Sequence, residues 1–470
     1  MRTKFLSFKR KLAIEFTKLV CYNTYIPRAA CSENFDIILM THSKVPVVNQ
    51  ARLPSAPIFL SQAEAEVVRI LWKQTSISRP DIGRITGWSK AKTSQQIQNL
   101  LSKGYLVEAG EQASQGGRKP RLLHLNRLLG YLVGLDIGAT SIDLVLADVS
   151  GQVLQRRSEP ADVRQPPDAF LSRCSELILD MVTAQACRPD QILGIGVGVP
   201  GPVDFARGVL VAPPLMPLWE DFPIRSFFQK TFSAAYVVID NDVNIMALGE
   251  LRAGGGAGVD DFLFVKIGTG IGCGIVSNGS MHRGSMGCAG DIGHICVDKQ
   301  GPICRCGNTG CLEAMAAGPA IVEKAIKAAK NGASPLLRQM MESNGGTLRP
   351  EDVSAACREG DQAALEIVRA SGQMIGDVLA SLVNFFNPSH IFLGGGITNI
   401  GNHLLIAIRQ AVLRRSLPLA TIHLSINFSR MGTDVGVIGA LALAREYLFV
   451  VEGHPFLFAD SHSFALNERR

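Results

Sequence analysis

The chain carries one cluster of residues dense enough to hold a metal on its own. In GDIGHICVDKQGPICRCGNTGCLEA, His294, Cys304, Cys306 and Cys311 follow the spacing H-x9-C-x-C-x4-C. Three thiolates and one imidazole complete a closed tetrahedral Zn2+ site, so the metal's role is structural. It would tie down the loop that carries Asp291 and Glu313. Ordinary buried cysteines are the competing reading, and spacing this dense disfavours it. The chain has 11 cysteines, an odd number, and three of them lie too close together for a usual disulfide framework. Metal ligation in a reducing cytoplasm fits better.

Other segments set polar groups at the ends of strands. LVGLDIGATSIDLVLAD reads as a buried strand, a tight turn at Asp136-Ile137-Gly138-Ala139-Thr140, and a return strand. The carboxylate and turn amides could meet phosphate or metal-bound water; a plain hairpin is the alternative. AAYVVIDNDVNIMALGELRAG is a strand ending in Asp240-Asn241-Asp242-Val243-Asn244 before a helix. That is where α/β folds bind ligands. Asp242 could accept a proton from a hydroxyl, hydrogen-bond it, or simply cap its helix. In DFLFVKIGTGIGCGIVSNG, Gly268, Gly270, Gly272 and Gly274 interrupt a hydrophobic hairpin, letting backbone amides approach a phosphate or a sugar. The segment lacks the GK[ST] ending of a Walker A loop and the Rossmann spacing.

The elements that position these groups follow a different module. LSQAEAEVVRILWKQTS places Ala63, Val67, Ile70 and Leu71 on one helical face, and Ser61 can cap with Glu64. SRPDIGRITG gives a second, short helix, with Pro80 near its start and Gly87 as its breaker. WSKAKTSQQIQNLLSKGYL gives a third, with Ala91, Ile97, Leu100 and Leu101 facing inward. Ser89, Lys90, Lys92, Thr93, Ser94 and Gln96 crowd its N-terminal end, where they can reach phosphates and base edges in a major groove. A hairpin follows, containing QASQGGRKP and RLLHL. Gly116 and Gly117 allow a sharp turn, and Arg118, Lys119 and Arg121 stand at its tip, suited to phosphate or a minor groove. A three-helix unit with a hairpin can equally serve protein contacts; helix order, charge sign and the glycine-basic wing together favour double-stranded DNA.

Charge supports that division. The net charge is +6 over 470 residues. Residues 1–59 carry nine Lys/Arg against three Asp/Glu, and residues 60–127 carry eleven against five. The remainder is acidic, with 27 basic and 33 acidic side chains. A basic front on an acidic body points to a polyanion partner at one end. No apolar run reaches the roughly 18 residues of a membrane span, and Glu15 and Lys18 interrupt any signal-peptide core. The expected division is an irregular basic extension or over-extended start at 1–59, a winged helix-turn-helix at 60–127, an effector-binding domain at 130–447 containing the zinc element 294–311, and a tail at 448–470. The tail is either a docking strand or disordered.

Taken together, from about Leu60 to about Tyr447, the sequence resembles the ROK family of repressors, open reading frames and kinases. The shared features are the winged helix, the DxGxT turn, the NDxN segment, GTGxGxG, GH-x9-CxCGxxGC followed by Leu312-Glu313, and the late turn LGGGI at Leu393 to Ile397. The resemblance implies an α/β, actin-like (RNase H-like) fold of two lobes with a sugar bound between them. It implies that Asn241, Asp242, Asp291, His294 and Glu313 reach the sugar, with Asp242 at the position of the catalytic base in kinase members. Asp136, Gly138, Thr140, Gly268, Thr269, Gly270, Gly394, Gly395 and Gly396 would line the nucleotide site of those members. Two departures weigh against phosphoryl transfer: Ala139 where kinase members usually have glycine, and Asp291 where many members have glutamate.

The expected function is a DNA-binding regulator of carbohydrate genes, acting as a homodimer or dimer of dimers whose operator affinity a sugar controls. The alternative is an ATP- and Mg2+-dependent sugar kinase, which would make the winged helix unnecessary.

Overall fold

Ser61 opens the first helix, Gln62–Gln74, through a reciprocal cap: its side chain accepts the Glu64 amide at 3.2 Å, and the Glu64 carboxylate accepts the Ser61 amide at 2.9 Å. The structure, a computed structural model, describes residues 57–111, 121–451 and 454–455. Glu64 is buried and keeps its charge because Lys103 Nζ lies 2.6 Å from it. The second helix, Arg79–Thr86, stops at Gly87, whose φ of 69° suits glycine best. The third, Lys90–Ser102, turns Thr93, Ile97 and Leu100 inward, a regular helical stripe. Ala91 lies off that stripe and is exposed, contrary to expectation. The strands Leu106–Glu111 and Arg121–Leu125 pair antiparallel, and Ile77–Ser78 adds to the second. Gly116, Gly117, Arg118 and Lys119 fall outside the described residues.

Two five-stranded sheets follow, and they share one topology. In the first, the meander Tyr131–Ile137, Ser141–Asp148 and Val153–Pro160 is extended on its first strand by Ile192–Val199 and then Tyr236–Asn241, both parallel. In the second, the meander Phe262–Ile267, Ile271–Ser277 and Ser280–His282 is extended on its first strand by His390–Gly394 and then Ser425–Phe428, again parallel. This duplication gives the two lobes of the α/β, actin-like architecture. Buried Val, Ile and Leu of the parallel strands fill both cores.

Two helices join cleft to chain end. Asp242–Ala253 leaves the first sheet directly, and Asp434–Leu448 returns to that sheet at the end of the chain. They cross at backbone distance: a Cβ on Gly439 would fall 1.7 Å from the Ile245 carbonyl oxygen, and one on Gly249 would fall 2.2 Å from that of Val435. Only glycine permits such packing.

The expected boundaries at 59 and 448 shift. Ile58–Leu60 pairs in parallel with Phe449–Val451, so residues read as extension and residues read as tail form one sheet. His454–Pro455 adds a third, antiparallel strand to it. Among the described residues no helix is long and apolar enough to cross a membrane.

Candidate functional site

A cleft of about 140 Å³ opens where the strand ends of the two sheets face each other. Asn241, Asp242, Asp291, His294 and Glu313 all line it, although they are spread over 73 sequence positions. The helix that carries Asp242 starts on a side-chain cap, but the cap is Asn241. Its Oδ1 accepts the amides of Val243 at 2.8 Å and Asn244 at 3.3 Å, while its Nδ2 donates to the Gly201 carbonyl at 2.8 Å. Asn241 therefore spends its amide group on holding the loop. Asp242 accepts the Val243 amide on Oδ1 at 2.9 Å and the Lys266 ammonium on Oδ2 at 2.5 Å.

The glycine turns meet beside this pair. Gly138 donates its amide to the Ser141 carbonyl at 2.9 Å and closes the hairpin after Asp136, leaving Thr140 exposed. Lys266 is in register with Gly394, and Gly395, at φ 92°, packs so closely that a Cβ would fall 2.4 Å from the Ile267 carbonyl oxygen. The turns at Gly268–Gly270 and Gly394–Gly396 are thus neighbours. Thr269 and Gly270 line the cleft; Asp136, Gly138, Thr140, Gly268 and Gly394 to Gly396 lie outside its lining. Glu313 accepts the Ile271 amide at 3.2 Å, which fixes its carboxylate against the glycine turn.

Lys266 lines the cleft, and Asp136, outside the lining, is a second carboxylate near its ammonium. Burial disfavours the Lys266 ammonium, but the Asp242 and Asp136 carboxylates outweigh it and hold the group above the usual lysine range. Burial pushes the Asp136 carboxyl up to about 7; Lys266 opposes that rise, while Asp242 and Asp143 add to it. No sequence motif marks Lys266. Its signal was present as the single charge in the strand FLFVKI, where a buried ammonium requires a partner. No motif marks Arg283 either, whose Nε donates to the buried Asp240 at 2.8 Å while its guanidinium lies 4.3 Å from the Phe205 ring centre. That ion pair ties the second sheet's hairpin to the strand that ends at Asn241.

His294, in the cleft wall, also belongs to a Cys/His cluster that could hold a metal ion. The ligand atoms of His294, Cys304, Cys306 and Cys311 all lie within 4.8 Å of one another. Cys304 Sγ is 3.6 Å from His294 Nδ1, and Cys306 Sγ is 3.7 Å from Cys311 Sγ. Sulfurs bound tetrahedrally at about 2.3 Å stand about 3.7 Å apart, so the set fits a zinc-sized ion. Without a cation, burial and the neighbouring sulfurs push the Cys311 thiol up to about 12, the strain that a bound metal reverses by taking thiolates. His294 faces both ways. Its Nδ1 addresses the sulfurs, and its Nε2 lies 3.8 Å from Asp291 Oδ1 on the cleft side.

At the other end of the described chain, Ser89 caps the third helix, and Lys90 and Lys92 are exposed on its first turns. Lys92 Nζ stands 4.5 Å over the Trp88 ring, which gives the ammonium a fixed stance. Gln96 is half-buried. Thr93 departs from the DNA-facing set: it is 4% exposed, its hydroxyl donates to the Ser89 carbonyl at 3.0 Å, and it packs where Gly83 lets the helices approach. Arg121 lies at the root of the hairpin, 3.4 Å from Glu108, which also pairs with Arg79 at 2.7 Å.

Comparison with known proteins agrees with this geometry. Residues 132–447 match the ROK family. The chain is 32% identical over 378 residues to the xylose repressor of Caldicellulosiruptor bescii, covering 80% of this chain and 94% of that protein. It superimposes with a TM-score of 0.70 on a ROK family transcriptional regulator homologous to the E. coli MLC protein, at 26% identity, covering 82% of this chain and 96% of that one. A ROK glucokinase from Streptomyces griseus, solved with glucose and AMPPNP, gives a TM-score of 0.58 at 29% identity, covering 67% and 99%. With a family match over residues 132–447 and a relative 32% identical over 80% of its length, the chain belongs to the ROK family.

Proposed function

We propose that this protein is a sugar-responsive transcriptional repressor in which a sugar bound in the cleft controls the DNA affinity of residues 60–127. One observation carries the reading: the helical unit docks on the element that also packs against the helix bearing Asp242. Trp72 of the first helix meets the Phe449 ring with centroids 5.3 Å apart, and the Arg445 guanidinium lies 4.7 Å over the Trp72 ring. Arg445 and Phe449 belong to the end of the 434–448 helix and the strand after it, and the glycine crossing binds that helix to 242–253. A sugar that shifts the 242–253 helix therefore acts on the helical unit through one packed path. It changes DNA affinity by as much as it prefers one arrangement over the other.

In this reading Asp242, Asp291, His294 and Glu313 hold the sugar hydroxyls, zinc fills the Cys/His centre, and Lys90, Lys92, Arg118 and Lys119 meet the phosphates of cytoplasmic operator DNA. Asn241 positions the loop. A homodimer supplies two reading units for half-sites about one helical turn apart. Phe385, Leu417, Leu419 and Ile422, exposed where the helix Gln362–Phe386 meets the turn Pro418–Thr421, offer an apolar face for it. Sedimentation of Leu419→Asp is expected to show the monomer, and an unchanged mass would remove this face from the dimer.

The decisive experiment pairs calorimetry of the intact protein against a panel of aldoses with fluorescence anisotropy on a fragment of its own upstream region. A sugar that binds and changes DNA affinity supports the repressor. Sugar-dependent ATP consumption supports the kinase instead.

A further inference from the structure

Lys266 is a cation that no motif of the cleft requires. It stands two residues before Gly268 on the strand 262–267, with Nζ 2.5 Å from Asp242 Oδ2. Both oxygens of Asp242 are thereby engaged, Oδ1 by the Val243 amide and Oδ2 by the ammonium. Asp136, behind the cleft lining, is the second carboxylate that the ammonium feels. Its carboxylate is walled in by the last helix, since a Cβ on Gly436 would fall 1.9 Å from its Oδ2, and a Cβ on Gly198 would fall 3.5 Å from its Oδ1.

A phosphoryl-transferring cleft needs the reverse arrangement. Its base must be able to take up the sugar proton, whereas a carboxylate paired with an ammonium still accepts a hydroxyl hydrogen bond but is a weaker base, and a divalent cation must have room to bridge the phosphates. Two carboxylates that flank one position repel and need a proton, an ammonium or a metal ion between them. An ammonium carried on the chain gives up no translational freedom to sit there, so it is present at a far higher effective concentration than a dissolved ion. Ala139 adds a methyl group to the turn whose amides would approach a phosphate.

We propose that Lys266 is a tethered cation standing where a metal–phosphate group would be held, so that the cleft accepts a neutral sugar and excludes Mg–nucleotide. The residues present do not fit Mg–ATP. This inference rests on the sugar-responsive reading, and it explains how a kinase-like cleft serves binding alone. The site becomes a switch without turnover: the sugar is not consumed by the protein that senses it.

The test uses the full chain and Mn2+ alone as probe, followed by Mg–ATP. Wild type is expected to show neither Mn2+ binding in the cleft nor Mg–ATP binding. Lys266→Met, close in shape and uncharged, is expected to gain at least roughly tenfold in Mn2+ affinity and to be raised in melting temperature by Mn2+. Adding Asp242→Asn to Lys266→Met should remove that gain. If Lys266→Met fails to fold without metal but folds with it, the expectation is met. Equal Mn2+ affinity in wild type and Lys266→Met, or sugar phosphorylation by wild type, overturns the proposal. Failure of wild type to bind any sugar of the panel overturns the effector reading instead, and the metal comparison still decides the role of Lys266.

Discussion

The Trp72 and Phe449 rings meet at 5.3 Å, joining the first described helix to a strand from the far end of the chain. Trp72→Ala should destabilise the protein by about 3 kcal/mol, because a large buried ring is removed. More specifically, it should leave sugar affinity within roughly twofold of wild type, since Trp72 does not line the cleft. The sugar-dependent change in DNA affinity should shrink. Anisotropy with and without sugar checks this, and a full response in Trp72→Ala would mean that the signal takes another path.

His294 turns Nδ1 to the cysteine sulfurs and Nε2 to Asp291 on the cleft side, so loss of a metal from the proposed zinc site should reach the proposed sugar site. Cys306→Ser should lower bound zinc, measured by elemental analysis, and lower the melting temperature by more than about 5 °C. Sugar affinity should fall with it. An intact protein that contains no zinc, or a variant with full sugar affinity, would separate the two sites.

Lys92 and Thr93 are neighbours in sequence with different expected roles. Lys92→Ala should weaken DNA binding uniformly across sequences and reduce the salt slope by about 1 per protomer. Thr93→Val should leave the slope unchanged and cost about 1 kcal/mol of stability through the lost hydroxyl bond. A lowered slope in Thr93→Val would place Thr93 at the phosphates after all.

Asp136 gives the stability a pH dependence of defined sign. Its pKa in the folded chain, about 7, lies above its ordinary 3.8, so the folded chain holds the proton more tightly than the unfolded chain. The associated stability is complete below the ordinary value and is lost as pH rises through the folded one. Asp136→Asn never ionises, so its melting temperature should gain on wild type as pH rises from 3.8 to about 7 and hold that gain above it. A constant gap across that range would show that Lys266 already neutralises Asp136.

What the sequence determined by itself was local. The capping box at Ser61 and Glu64, the stop at Gly87, the hairpins after Asp136 and Ile267, and the Cys/His cluster from His294 to Cys311 follow from short-range spacing, because their partners lie close in sequence. The family motifs brought Asn241, Asp242, Asp291, His294 and Glu313 to one cleft. Only the tertiary structure decided which groups those residues face. Asn241 is engaged because Gly201 lies 40 positions away in sequence but within hydrogen-bond reach, and Asp242 is engaged because a strand 24 positions on delivers Lys266. Thr93 is buried, and Ala91 exposed, because the helix took its phase from packing against Gly83, which polarity alone does not report. The pairing of 58–60 with 449–451 joins segments nearly 400 residues apart. Contacts of that separation depend on loop closures and cores that no local pattern encodes.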